Sequence, residues 1–309
     1  LQARSRAAGG TGRQRGLASL LVLFGLLLPW AAAAAGRVYI SADMEGVAGA
    51  VTGDQLGPQG FEYARFREFM TAEVLAAIEG AREAGATEFL VSDSHGNGEN
   101  LLIEKFPKEV QIVRSWPRPL GMMEGIDARF DAVLFVGYHS GTTNPQGVRA
   151  HTLSSANLAD VRINGISVPE AGLNAAIAGH FGVPVAMISG DDAIVKEAQA
   201  MLPGIEGAVV KWAYGFHSAR TLTPEASAAL IREKARAAVA RARTLKPYKV
   251  KTPVELEIRF KNYRPAEVLT YLPGVERVDA HAVRFRARDM PEASRFLAFV
   301  LNYEPGLAP

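Results

Sequence analysis

The stretch Arg37-Val38-Tyr39-Ile40-Ser41-Ala42 runs directly into Asp43-Met44-Glu45-Gly46. Its first six residues are largely β-branched, aromatic or small, the composition of a buried strand, and the acidic pair begins where the apolar run stops. Residues two apart on an extended chain project to the same side, so Asp43 and Glu45 converge on one point beyond the strand end. In an open α/β sheet that is where ligands bind. Two carboxylates held together there invite a cation.

Beyond this stretch, short apolar runs alternate with amphipathic segments, the pattern of a largely parallel sheet. The runs predict strands at Arg37 to Ala42, Glu88 to Val91, Val110 to Val113, Ala132 to Val136 and Val183 to Ile188. Phe66, Met70, Val74, Ala77 and Ile78 recur at helical spacing and predict a helix over Phe61 to Ala84, with Gly85 as its stop. Asn164-Gly165 lies between two apolar triplets and predicts a hairpin, because both central residues of a type I′ turn need positive φ. A helix over Glu170 to Phe181 follows, and Thr223-Pro224 opens a long Ala- and Arg-rich helix ending before Pro247. Lys246 to Pro253 has linker composition. Past it, Val254 to Phe260, Pro265 to Leu272, Val275 to Arg288 and Pro291 to Asn302 read as strand, helix, strand pair and helix. The fold class is therefore α/β: a three-layer α/β/α domain over residues 36–247, followed by a smaller C-terminal α+β domain over 248–309.

The chain has 309 residues, 48% hydrophobic and 21% charged, which is enough for a full core and too apolar for disorder. It contains no cysteine, so disulfides, thiolate metal sites and a cysteine nucleophile are excluded, leaving His, Asp and Glu to carry chemistry. The formal charge of +2 reflects four arginines among residues 1–35, where there is no lysine or acid; the 34 basic residues fall to 30 in the remainder, against 32 acidic. That balance gives no nucleic-acid footprint. Glu225 and Glu233 among the arginines of the long helix likewise mark a solvated face.

Residues 1–35 read as a secretory leader. A basic stretch ending at Arg15 precedes the apolar run Leu17 to Leu28, and Pro29, Trp30 and five alanines follow. Cleavage near Ala35 or Gly36 is favoured over an uncleaved anchor, because Pro29 interrupts the run and alanine is weakly apolar. A periplasmic or secreted protein with no membrane segment after cleavage is expected.

Several motifs fail on their own terms. Gly96-Asn97-Gly98 follows a strand, but Leu101 stands where the third glycine of a dinucleotide loop belongs, and Gly137-Tyr138-His139-Ser140-Gly141 puts its serine one place too late for a nucleophile elbow. What remains is a set of acids and imidazoles at strand ends: Asp43 and Glu45, His95 in Ser92-Asp93-Ser94-His95, His139 after Gly137-Tyr138, and Glu170 opening a helix. His95, His139 and His151 are three of only six histidines, and they fall where successive strand ends should meet. Oxygen and nitrogen donors without sulfur suit zinc, and manganese or cobalt less so. Five such groups exceed the need of one catalytic zinc and favour two metals sharing a bridging carboxylate. Asp93 reads as a brace for its loop, not a ligand.

The ordered set D-M-E-G (43–46), S-D-S-H (92–95), G-Y-H (137–139), an isolated His151, E-x-G-L-N-A (170–175) and S-G-D-D (189–192) resembles the DppA-type zinc D-aminopeptidases, and a looser match continues at Asp289 to Ala293. The resemblance implies that Asp43, Glu45, His95, His139 and Glu170 hold two zinc ions, and that His151 is the catalytic histidine, acting as general base and acid or as nucleophile. It further implies release of an N-terminal, D-configured residue from short peptides with a free amino terminus, and a homo-oligomer of stacked rings. The alternatives are a periplasmic protein that captures peptides or metal without hydrolysis, and a metal-dependent amidase of broader scope.

Overall fold

The computed structural model describes residues 9–10 and 36–303; the leader expected over 1–35 otherwise lies outside the described residues. The Arg37–Ala42 run forms β1, the third strand of a seven-stranded sheet. In spatial order the sheet contains β3 (Val110–Val113), β2 (Glu88–Asp93), β1, β4 (Ala132–Tyr138), β7 (Val185–Asp191), β8 (Glu206–Gly215) and β9 (Ser218–Thr221). All neighbours pair in parallel except β8 and β9. The chain moves outward from β1 through β2 to β3, then returns to the other side of β1 as β4. The junction of β1 and β4 is therefore the switch point at which such a sheet opens a crevice beyond its strand ends.

Side chains alternate across the sheet as the pleat requires. Val38, Ile40, Leu134 and Val136 join one core with α2 (Tyr63–Glu83) and α5 (Pro224–Arg241). Tyr39, Val133 and Phe135 join the opposite core with α3 (Glu170–His180) and α4 (Asp192–Met201). These are the three expected layers. A single turn, α1 (Gly53–Leu56), lies between β1 and α2 and is capped by Thr52.

A second, antiparallel sheet has the order β11 (Val275–Arg277), β12 (Ala282–Ala287), β10 (Val254–Phe260), β5 (Leu158–Ile163), β6 (Ile166–Ser167). Asn164 and Gly165 both have positive φ, 51° and 82°, as the hairpin between β5 and β6 demands. α6 (Tyr263–Leu269) and α7 (Met290–Asn302) cover this sheet. Strands from both sides of the expected 247/248 boundary thus share one sheet, because Leu158, Val161 and Ile163 are buried against Leu256, Ile258 and Val283 in one core.

Sequence reading assigns no element between Ile188 and Thr223, where α4, β8 and β9 form. The period-2 signal of β8 is masked by a fully buried lysine, Lys211. No helix among the described residues is long and apolar enough to cross a membrane.

Candidate metal centre

Asp43 and Glu45 leave the end of β1, and His139 leaves the end of β4. The backbone ladder between these strands continues past the end of β1, with Asp43 N donating to Val136 O at 2.8 Å and Gly46 N to Gly137 O at 2.7 Å. Glycine is required at both ends of this approach. A Cβ on Gly46 would lie 2.0 Å from Tyr138 O, and one on Gly137, whose φ is +73°, 2.2 Å from Asp43 O. The β4 register shifts between Phe135 and Tyr138, a bulge that turns Tyr138 to the α3 side of the sheet and re-aims His139 after it.

Each histidine commits one ring nitrogen to a backbone carbonyl and turns the other inward. His95 pairs Nε2 with Leu56 O at 2.6 Å, which leaves Nδ1 facing Glu45 Oε2 at 2.7 Å and Asp43 Oδ1 at 3.2 Å. His139 pairs Nδ1 with Ser140 O at 3.0 Å, and its Nε2 faces Asp43 Oδ2 at 3.3 Å and Glu170 Oε1 at 3.4 Å. His151 pairs Nδ1 with Arg149 O at 2.7 Å, and its Nε2 stands 4.0 Å from Glu45 Oε1 and 3.9 Å from Glu170 Oε1. A neutral imidazole donating through one nitrogen offers a lone pair at the other, the usual arrangement of a metal-binding histidine. Residues Arg149 and Leu153 on either side of His151 have φ of +55° and +64°. Left-handed backbone at non-glycine residues persists only where the surroundings hold it, so the loop fixes His151 in place.

All six expected site residues therefore meet in one place. Glu170, in the first turn of α3, accepts Leu153 N at 2.7 Å through Oε1. Asp93 accepts Asn100 N, Asn100 Nδ2 and Leu101 N at 2.6 to 2.8 Å and so braces the loop after β2, as expected.

The three carboxylates are 2–6% exposed, and the buried Asp43 Oδ2 and Glu45 Oε2 are faced by imidazole nitrogens, of His139 and His95 respectively. Burial pushes the Asp43 carboxyl up and the Glu45 charge adds to this. Burial opposes ionisation of Glu45 too, but the imidazoles around it, His95 foremost, hold its carboxyl well below the usual range. Burial likewise disfavours the charged forms of His95 and His139, and the adjacent carboxylates outweigh it, drawing both imidazoles well above their ordinary value. The cluster is built around positive charge. Donor atoms of Asp43, Glu45 and His139 lie within 4.8 Å of one another, as do those of His139, His151 and Glu170. An all-oxygen-and-nitrogen set of this kind fits a pair of divalent ions, with Asp43 facing a histidine through each of its oxygens.

Two supports were illegible beforehand. Lys211, fully buried, donates from Nζ to the carbonyl oxygens of Glu45, Val47 and Ala50, the last two at 3.1 and 2.6 Å. It anchors the loop that carries Glu45 from below; a charged residue inside the apolar run Ala208 to Trp212 was its only signal. The second support is a chain of buried hydroxyls around Tyr138. Over the cluster lies a cavity of about 410 Å³ whose wall includes Trp116, Leu120, Leu173, Ile177, Leu297 and Leu301.

Known proteins align with this arrangement over most of the chain. The D-aminopeptidase of Bacillus subtilis (strain 168) is 36% identical over 258 residues, 83% of this chain and 93% of that protein. The solved structure of the Zn-dependent D-aminopeptidase DppA from Bacillus subtilis, described as a self-compartmentalizing protease, superposes with a TM-score of 0.82 at 35% identity, covering 85% of this chain and 96% of that one. The D-aminopeptidase family model, Peptidase M55, matches residues 37–299, and the chain belongs to that family.

Proposed function

We propose that the chain is a zinc-dependent aminopeptidase that removes N-terminal D-amino acids from short peptides. The observation that carries this reading is Asp43: one buried carboxylate faces His95 through Oδ1 and His139 through Oδ2, the arrangement of a ligand bridging two ions. Asp43, Glu45 and His95 would hold one ion, and Asp43, His139 and Glu170 the other. Zinc held there supplies Lewis-acid polarisation of a carbonyl and acidifies water.

His151 stays outside the ligand set, although it lies near enough to be grouped with His139 and Glu170. Its Nε2 is 3.9 to 4.0 Å from the nearest carboxylate oxygens, against 2.7 to 3.4 Å for the inward nitrogens of His95 and His139. With Nδ1–H held by Arg149 O, Nε2 is free to take a proton from the water that attacks the scissile carbonyl and to return it to the departing amine as the C–N bond breaks. Glu45 and Glu170 stabilise the imidazolium formed in between. The acidic cluster draws the substrate's amino terminus, and Leu173, Ile177, Leu297 and Leu301 offer the rest of the peptide an apolar surface. A protein that only captured peptides would have no use for a histidine poised beside the ligands, which favours hydrolysis.

The self-compartmentalizing neighbour supports assembly into a homo-oligomeric chamber of stacked rings. The leader zones of residues 1–35 support export to the periplasm or beyond, with removal of the leader near Gly36. Chelator-treated, dialysed protein should lose hydrolysis of D-Ala-D-Ala and regain it with added zinc, and L-Ala-L-Ala should be cleaved far more slowly. Full activity after metal removal would contradict the reading.

A further inference from the structure

Behind the metal-facing side chains runs a line of buried polar groups that the proposed reaction does not use. Asn174 Nδ2 donates to the Tyr138 hydroxyl at 2.9 Å, and Tyr138 donates to Ser41 Oγ at 2.7 Å. Ser41 Oγ lies 3.1 Å from Ser94 Oγ, and Ser94 donates to Ser92 Oγ at 2.9 Å, where Arg118 Nη1 also donates at 2.8 Å. Asn174, Tyr138, Ser41 and Ser92 are at most 1% exposed, and Ser94 is buried.

The members of this line are neighbours of the candidate ligands. Ser41 is two residues before Asp43, Ser94 directly precedes His95, Tyr138 directly precedes His139, and Asn174 is one turn after Glu170. They lie on β1, at the end of β2, on β4 and on α3, the same four elements that carry the candidate ligands. Tyr138 is the centre of the line, because the bulge at Gly137 turns it to the α3 side, where its ring stacks on Phe135 with centroids 4.5 Å apart.

We propose that Tyr138 is a positioning residue whose hydroxyl, joining Ser41 to Asn174, fixes the spacing between the ligands at the ends of β1 and β4 and the ligand at the start of α3. The proposal rests on the metal-centre reading above. Tyr138 touches neither metal nor substrate in this account; it acts through the elements it ties. Groups that orient metal ligands typically contribute ~10 to 100-fold in metal affinity or activity.

The test uses the full-length zinc-loaded protein with Tyr138→Phe, which removes one oxygen and keeps the stacked ring, and Ser41→Ala, which cuts the same bond from the other side. Metal affinity is read by chelator competition, the ligand field by the visible spectrum of the cobalt-substituted protein, and kcat and KM on D-Ala-D-Ala. Each variant should remain folded at 25 °C, bind metal ~10 to 100-fold more weakly, show an altered cobalt spectrum, and lose kcat with little change in KM. The double variant should be less than additive, since the Tyr138–Ser41 bond is lost in each single variant. A purely structural role would lower the melting temperature and leave affinity, spectrum and kcat within about twofold of the parent, and that result overturns the proposal alone. Failure of both variants to fold also overturns it, by making the junction global and not local. A parent protein without stoichiometric metal would overturn the metal-centre reading, and this proposal with it.

Discussion

The rings of His139 and His151 lie stacked, with centroids 4.0 Å apart and planes inclined by 9°, and both present Nε2 to the same oxygen, Glu170 Oε1. Stacking sets the two nitrogens side by side at unequal depth. His139 Nε2 also meets the buried Asp43 Oδ2, whereas the next partner of His151 is Glu45 Oε1 at 4.0 Å. On the proposed reading, one ring coordinates and its neighbour moves a proton beside it.

The pair should separate cleanly on mutation. His139→Ala is expected to lose metal and activity together. His151→Ala should keep its fold and metal content while turnover on a short D-aminoacyl peptide falls at least ~100-fold, the lower end for general acid-base catalysis. Elemental analysis alongside turnover per folded molecule checks this; metal loss in His151→Ala equal to that in His139→Ala would make His151 a ligand.

Lys211 predicts a stability effect. Its ammonium is the hydrogen-bond partner of three buried carbonyl groups, and leaving a buried acceptor unsatisfied costs about 1–3 kcal/mol. Lys211→Met should therefore unfold at markedly lower urea concentration, by at least about 2 kcal/mol, measured with metal removed to isolate the fold. A variant as stable as the parent would show that the loop carrying Glu45 does not depend on this anchor.

Much of this framework was legible in the chain. β1 and its acidic exit, the helix after it, the hairpin turn at Asn164-Gly165 and the convergence of six site residues follow from periodicity, turn chemistry and residue type. What escaped has physical causes. Lys211 and Tyr138 serve the site through fixed geometry across the sheet, and no local pattern reports a contact between residues 166 or 97 positions apart. That the β5–β6 hairpin joins the strands of the C-terminal segment was not legible, because pairing of β10 with β5 is a long-range event, invisible in the composition of either strand.

Glu73 gives a pH prediction. It bridges three segments by accepting Ala48 N at 3.0 Å and Ser227 Oγ at 2.6 Å, and burial pushes its carboxyl from 4.5 to about 7. A carboxyl raised in the folded state holds a proton there that the unfolded chain has released, so its contribution is complete below pH 4.5 and is lost as pH climbs through 7. The total is on the order of 3 kcal/mol. Urea unfolding of the metal-free protein across that window should show stability falling with pH, and Glu73→Gln should flatten the fall. Equal slopes would show that Glu73 is ionised in the fold at the acid end of the window.

The close approach of β1 and β4 predicts a sharp contrast between glycines. Gly46→Ala places Cβ 2.0 Å from a backbone oxygen and should abolish folding or cost more than about 4 kcal/mol. Gly96→Ala meets nothing within 4 Å and carries only the strain of φ +51°, roughly 1–2 kcal/mol. Similar losses at both positions would contradict the packing described for the ligand-bearing loop.

Metal stoichiometry tests most directly whether Asp43 is a ligand shared by two ions. Purified protein saturated with zinc and freed of excess should carry about two zinc equivalents per chain, and Asp43→Asn, similar in shape but without the bridging charge, should lose both while remaining folded. A parent carrying one equivalent or none, or an Asp43→Asn protein that keeps two, would contradict that sharing.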